Sequence, residues 1–224
     1  MPKRALAERR PWLLASVAMS IAYFVLKDAA FPGTYLFVLE AGCLILLAVY
    51  ALLRLDEPEA RHIAALLGLS GLGVVAVELD PYIGAILLIL AYGFGIGLFV
   101  RFRRPNMATT QKAAAVALLL LVPLICWRLP YDRSGAVTLA VYGLALGALA
   151  GTAWASRFPR YRVGAGAVLV VISSVIGIAQ AGPLMDADWP DWVIWPAFYL
   201  GNFMMATGTV QTLRKGLRAT VEAG

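Results

Sequence analysis

Residues 82–100 read YIGAILLILAYGFGIGLFV, an apolar run without a single charged side chain. Because about 20 apolar residues in a helix cross about 30 Å of hydrocarbon, this run predicts a transmembrane helix. The whole chain has the same character, since 61% of its 224 residues are hydrophobic and only 14% are charged. Soluble domains contain about 45–50% apolar and about 25% charged residues. The composition therefore excludes a soluble enzyme, a soluble nucleic-acid-binding protein and a disordered chain.

Further apolar runs repeat this pattern along the chain. Each short segment must satisfy its own backbone hydrogen bonds in lipid, so helices are predicted. We predict an all-α, polytopic membrane bundle with eight transmembrane helices, in a single domain over residues 1–224 with short tails at 1–10 and 214–224. The predicted spans are 11–27, 34–53, 62–79, 82–100, 113–127, 136–155, 164–181 and 193–213.

The basic residues lie on one side of this predicted topology. Sixteen of the 19 Lys and Arg residues fall in the two tails and in the connections after spans two, four and six. This asymmetry follows the positive-inside rule, so both termini are predicted to be cytoplasmic. A bacterial inner membrane fits this topology, as does the endoplasmic reticulum. Anionic lipid explains the net charge of +6, so no nucleic-acid partner is predicted.

The few potential metal ligands are scattered. The chain has one His, His62, and its two Cys, Cys43 and Cys126, lie in separate apolar runs. We therefore predict no metal site, no disulfide scaffold and no cofactor.

Span six contains small residues at every fourth position, namely Gly143, Gly147 and Gly151. Such a strip lets another helix backbone approach closely. The partner is predicted to be a helix of the same chain or, alternatively, a second copy in a homodimer.

Polar side chains inside the spans are the candidate functional residues, because such groups are costly in lipid and usually face the bundle interior. At 1.5 Å per residue, Glu40 lies roughly 9 Å in from the outer boundary, and most of the others fall between that level and mid-membrane. One central cavity would gather them. The candidates are Glu40, Ser70, Glu78, Tyr92, Ser173, Ser174 and Asn202, together with position 74.

The spans also carry a family resemblance, clearest in LSGLGVVAVELD (69–80), IGAILLILAYGFGIGLF (83–99), GAVLVVISSVIGIAQ (166–180) and FYLGNFMMATG (198–208). In these stretches the chain resembles the lysoplasmalogenase-like YhhN membrane proteins, which are eight-helix bundles. Enzymes of this family hydrolyse the vinyl-ether bond of lysoplasmalogens to a fatty aldehyde and a glycerophospho head group. The resemblance implies the same reaction and a membrane lipid or lysolipid as partner.

Several family positions carry different side chains here. The resemblance places Glu40 at a family Lys, Val74 and Ser174 at two Asp residues that form the family's acid/base pair, and Tyr92 at a His. In span eight, the family's Tyr-x-x-Gln corresponds to Tyr199 and Asn202.

Vinyl-ether hydrolysis needs a proton for an alkene carbon and a water molecule for the resulting oxocarbenium ion, so it needs an acid and a base. Val74 and Ser174 supply neither, which leaves Glu40 and Glu78 as the candidate catalytic residues. Three other interpretations remain open for the chain. They are a non-catalytic family member that still binds an amphiphile, a small transporter that uses Glu40 as a proton site, and a structural membrane subunit without a ligand.

Overall fold

The computed structural model describes residues 11–29, 32–55 and 57–222, without the side chains of 217–222. The described chain folds into eight helices. In chain order they are α1 (Pro11–Leu26), α2 (Gly33–Arg54), α3 (Pro58–Leu79), α4 (Pro81–Arg101), α5 (Thr109–Arg128), α6 (Ala136–Ala155), α7 (a π turn over Arg160–Gly164 that continues as an α-helix over Ala165–Ala179) and α8 (Pro190–Glu222).

The all-α prediction is confirmed for these residues, and all eight spans coincide with helices. Six of the helices, α2 to α7, are long and apolar enough to cross a membrane. At 1.5 Å per residue, the 16 residues of α1 extend about 24 Å, which is less than the usual hydrocarbon thickness. The tail predicted at 1–10 lies outside the described residues.

Helix ends extend beyond several predicted spans. α3 begins at Pro58, α5 begins at Thr109, and α8 continues to Glu222. Hydropathy detects only the apolar part of a helix, whereas the backbone hydrogen bonds continue through polar residues at its ends. The segment predicted as a C-terminal tail from residue 214 is therefore helical as far as Glu222.

The helices form two compact units. The first unit comprises the chain up to Ala91 and from Thr209 onward, and the second comprises Tyr92–Gly208. In the first unit, α1 packs on α2 and α2 on α3. Gly71 allows a close approach there, because a Cβ at this position would lie 2.9 Å from the Ala41 carbonyl oxygen. Asp80 starts α4, since its Oδ1 accepts hydrogen bonds from the backbone N–H groups of Tyr82 and Ile83.

In the second unit, α5 packs on α6 along the small-residue strip. A Cβ at Gly147 would lie 2.5 Å from the Leu118 carbonyl oxygen, and one at Gly151 would lie 2.9 Å from that of Ala115. The strip thus packs against α5 of the same chain, which is the first of the two predicted partners. The homodimer contact through Gly143, Gly147 and Gly151 stays a prediction, and the α5 backbone already occupies much of this surface.

Candidate functional site

Three helices of the first unit bring two carboxyl groups to one phenol. The Tyr23 hydroxyl on α1 is within hydrogen-bonding reach of the carboxyl groups of Glu40 on α2 and Glu78 on α3. We call these three residues the acid cluster. A phenol has one O–H to donate, so it can bond both carboxyl groups only when one of them is protonated and donates back. The cluster can therefore hold an exchangeable proton.

The two carboxyl groups of the acid cluster differ in exposure. Glu40 is 5% exposed, whereas Glu78 is exposed one residue before the end of α3. One oxygen of Glu40, Oε2, is buried without a hydrogen-bond partner among the described residues, as is the Ser70 Oγ on α3. An unsatisfied buried polar atom costs about 1–3 kcal/mol, and a ligand hydroxyl could supply the missing bond.

Local hydrogen bonds hold the turn of α2 that carries Glu40. The Ser16 hydroxyl on α1 donates to the Cys43 carbonyl oxygen at 2.6 Å. The Cys43 thiol in turn donates to the Glu40 carbonyl oxygen at 3.1 Å. Both side chains are fully buried. Of these two bonds only the one from Ser16 crosses between helices, so it links α1 to α2 one turn from Glu40.

In the second unit, three hydroxyl groups form a chain across α4, α6 and α7. The Tyr142 hydroxyl donates to the Ser174 Oγ at 2.9 Å and lies 3.1 Å from the Tyr92 hydroxyl. Both phenols are buried. We call these residues the hydroxyl chain. Two of its members, Tyr92 and Ser174, stand at positions where the family resemblance implies His and Asp, and Tyr142 links them.

Three of the remaining predicted residues contact other parts of the protein, and the fourth, Val74, has no polar group. The Ser173 hydroxyl donates to the Ile194 carbonyl oxygen at 2.7 Å, so it links α7 to α8. Asn202 Nδ2 donates to the Phe198 carbonyl oxygen of its own helix at 2.9 Å. The Tyr199 ring stacks on Trp195. Val74 is half-buried and has no acid/base group.

Tyr23 thus links Glu40 with Glu78, and Tyr142 links Tyr92 with Ser174. Sequence reasoning missed the residue that makes each connection, Tyr23 or Tyr142. Each is a phenol inside an apolar span, which was the available signal. The single central cavity stays a prediction, because its residues divide between the two units. Among the described residues, no group of three or more His, Cys, Asp and Glu side chains could hold a metal ion.

The six described helices that are long and apolar enough to cross a membrane define a multi-pass integral membrane protein of the helical class. A sequence profile of the YhhN family matches residues 34–209, which is most of the chain. The protein therefore belongs to the YhhN family. Searches of curated proteins and of solved structures each found no match.

Proposed function

We propose that this protein binds a single-chain, lysophospholipid-type amphiphile in the membrane and hydrolyses the vinyl ether of a lysoplasmalogen through the acid cluster. The observation that carries the proposal is the pair of carboxyl groups that meet at Tyr23. The family's own acid/base positions are occupied by Val74 and Ser174. A different pair of acids, contributed by α2 and α3, is available to take over the proton transfers.

The acid cluster contains the proton donor and the proton acceptor that the reaction requires. Protonated Glu40 donates its proton to the alkene carbon, which leaves an oxocarbenium ion. The exposed Glu78 carboxylate takes a proton from water as the water oxygen adds to that ion. The resulting hemiacetal then breaks into a fatty aldehyde and the free glycerol hydroxyl, so one water is consumed per bond. Tyr23 returns the proton from Glu78 to Glu40 and resets the pair.

Binding without hydrolysis is the second candidate, and the hydroxyl chain favours it. Tyr92, Tyr142 and Ser174 satisfy one another with neutral hydrogen bonds, so this part of the family site offers no acid. The unpartnered Glu40 Oε2 and Ser70 Oγ could still receive hydroxyl groups of a glycerol moiety.

The direct test is aldehyde release from a lysoplasmalogen by the purified protein. General acid–base catalysis contributes roughly 10²–10⁴-fold, so we expect Glu40→Gln to lower the rate by that factor and Glu78→Gln to lower it substantially. Asp28→Asn is the matched control, because Asp28 is an exposed acid just after the end of α1 that carries Tyr23. Aldehyde release from Glu40→Gln at the unsubstituted rate would refute the catalytic role.

A lysolipid with a saturated ether separates the two candidates. It lacks the alkene that is protonated, so it should bind and inhibit without releasing aldehyde. If the unsubstituted protein retains both lipids and hydrolyses neither, the protein is a binder and not a hydrolase. In that case the double variant Val74→Asp with Ser174→Asp restores the family's acids, and the appearance of hydrolysis would indicate a family-like binding site. An Asp at 174 can accept the same bond from the Tyr142 hydroxyl that Ser174 accepts now.

A further inference from the structure

An apolar groove of about 460 Å³ lies in the second unit, lined by α4, α5 and α6. Its floor and walls include Phe99, Val116, Leu119 and Thr152, and two basic residues also line it, Arg103 just after α4 and Lys112 in the first turn of α5. Both basic side chains are exposed. The volume falls within the usual range for small-molecule sites, about 300–1,000 Å³. The groove therefore combines a membrane-facing apolar channel with positive charge at one end.

The backbone holds this basic end in place. Arg103 pairs with Ser156 in an isolated antiparallel bridge, the Arg104 N–H donates to the Ala155 carbonyl oxygen at 3.1 Å, and the Arg157 N–H donates to the Phe102 carbonyl oxygen at 2.8 Å. The Phe158 ring packs against Phe102. The connection after α4 is thus bonded to the connection after α6, and the basic residues of both are held together.

No acidic residue balances this charge within the second unit. Its four acids, Asp132, Asp186, Asp188 and Asp191, all lie in or just after the connections at the opposite helix ends. Positively charged side chains repel one another at the basic end. The pKa of the Arg104 guanidinium is lowered, first by burial and then by the positive charge of Arg160. The Arg160 Nε is buried without a hydrogen-bond partner among the described residues. An anion at this end would relieve the repulsion.

We propose that this groove is a binding site for an anionic phospholipid, with the phosphate between Arg103 and Lys112 and an acyl chain along α5 and α6. The charge pattern selects this occupant. An apolar channel alone would accept any acyl chain, whereas the basic end specifically favours a negatively charged head group. α5 begins at Thr109, so the positive end of its dipole adds to the charge of Lys112. This site is separate from the acid cluster, which belongs to the first unit.

The test compares spin-labelled phosphatidylglycerol with spin-labelled phosphatidylcholine bound to the full-length protein in phosphatidylcholine vesicles. We expect a preference for phosphatidylglycerol, which the double variant Arg103→Gln with Lys112→Gln reduces about 30-fold, equivalent to about 1 kcal/mol per basic residue. The matched control is Arg61→Gln with Arg128→Gln, which removes two exposed basic side chains that do not line the groove.

A second variant separates the channel from the charge. Ala148→Leu adds bulk to the groove wall and leaves both basic residues in place, so it should also weaken binding of the labelled lipid. An equal preference in the unsubstituted protein and the Arg103/Lys112 variant would overturn the proposal. So would displacement of the lipid by inorganic phosphate at matched ionic strength, since this would indicate a site for the free anion. A change of oligomeric state in Ala148→Leu would instead indicate a second copy as the occupant, and would also overturn it.

Discussion

Removal of the Tyr142 hydroxyl is the sharpest test of the second unit, because Tyr142 is the middle member of the hydroxyl chain. Tyr142→Phe keeps the buried ring and deletes only the oxygen. The substitution removes the bond to Ser174 and the contact with the Tyr92 hydroxyl. Tyr92→Phe removes the contact at one end of the chain and leaves the bond between Tyr142 and Ser174 in place.

The expected magnitudes follow from the number of bonds lost. Interhelical hydrogen bonds in membrane proteins contribute about 0.6 kcal/mol on average and up to about 1.7 kcal/mol. Tyr142→Phe loses two of them, so we expect it to lower the free energy of unfolding by about 1–3 kcal/mol. Tyr92→Phe should lower it by about half as much.

The assay is reversible unfolding of the purified protein in mixed micelles of a mild detergent and dodecyl sulfate, followed by circular dichroism. Tyr131→Phe serves as the control, since Tyr131 is 70% exposed and belongs to the same unit. We expect the control to match the unsubstituted protein. If Tyr142→Phe unfolds at the same detergent fraction as the control, or if Tyr92→Phe is the more destabilising of the two, the chain does not join the three helices as the geometry requires.

Three further predictions concern packing, accessibility and topology. Gly147→Ala should lower the free energy of unfolding by about 1–3 kcal/mol through overpacking against Leu118. Gly97→Ala should be neutral or stabilising, because a Cβ there meets nothing within 4 Å. The same unfolding assay compares the two variants, and equal effects would contradict the α5–α6 contact. Cys43 and Cys126 are fully buried, so a maleimide should label them only after denaturation, and rapid labelling of the folded protein would argue against the packing around them. Fluorescent-protein fusions at each terminus should fluoresce in intact cells if both termini are cytoplasmic. Alkaline phosphatase is active only in the periplasm, so an active fusion at either terminus would contradict the predicted orientation.

Hydropathy determined most of the helical architecture from the sequence, because the need of each segment to bond its own backbone in lipid is a local requirement. The run at 82–100 is helix α4 almost to the residue. The family resemblance likewise rests on residue spacing within single helices, and the family match over 34–209 confirmed it. Glu40 stood out for the same reason, since a carboxyl group in an apolar run is visible without any knowledge of its neighbours.

The tertiary structure alone decided which polar side chains share partners. Tyr23 and Tyr142 look like ordinary aromatic residues in their own helices, and their roles depend on which faces of α1 and α6 meet the neighbouring helices. The same holds for the glycine strip of α6, whose sequence allowed either an internal or an external partner. The carbonyl oxygens of α5 occupy it because the missing side chains leave room for a backbone. Periodicity defines the faces of one helix, but contacts between helices depend on how all of them pack.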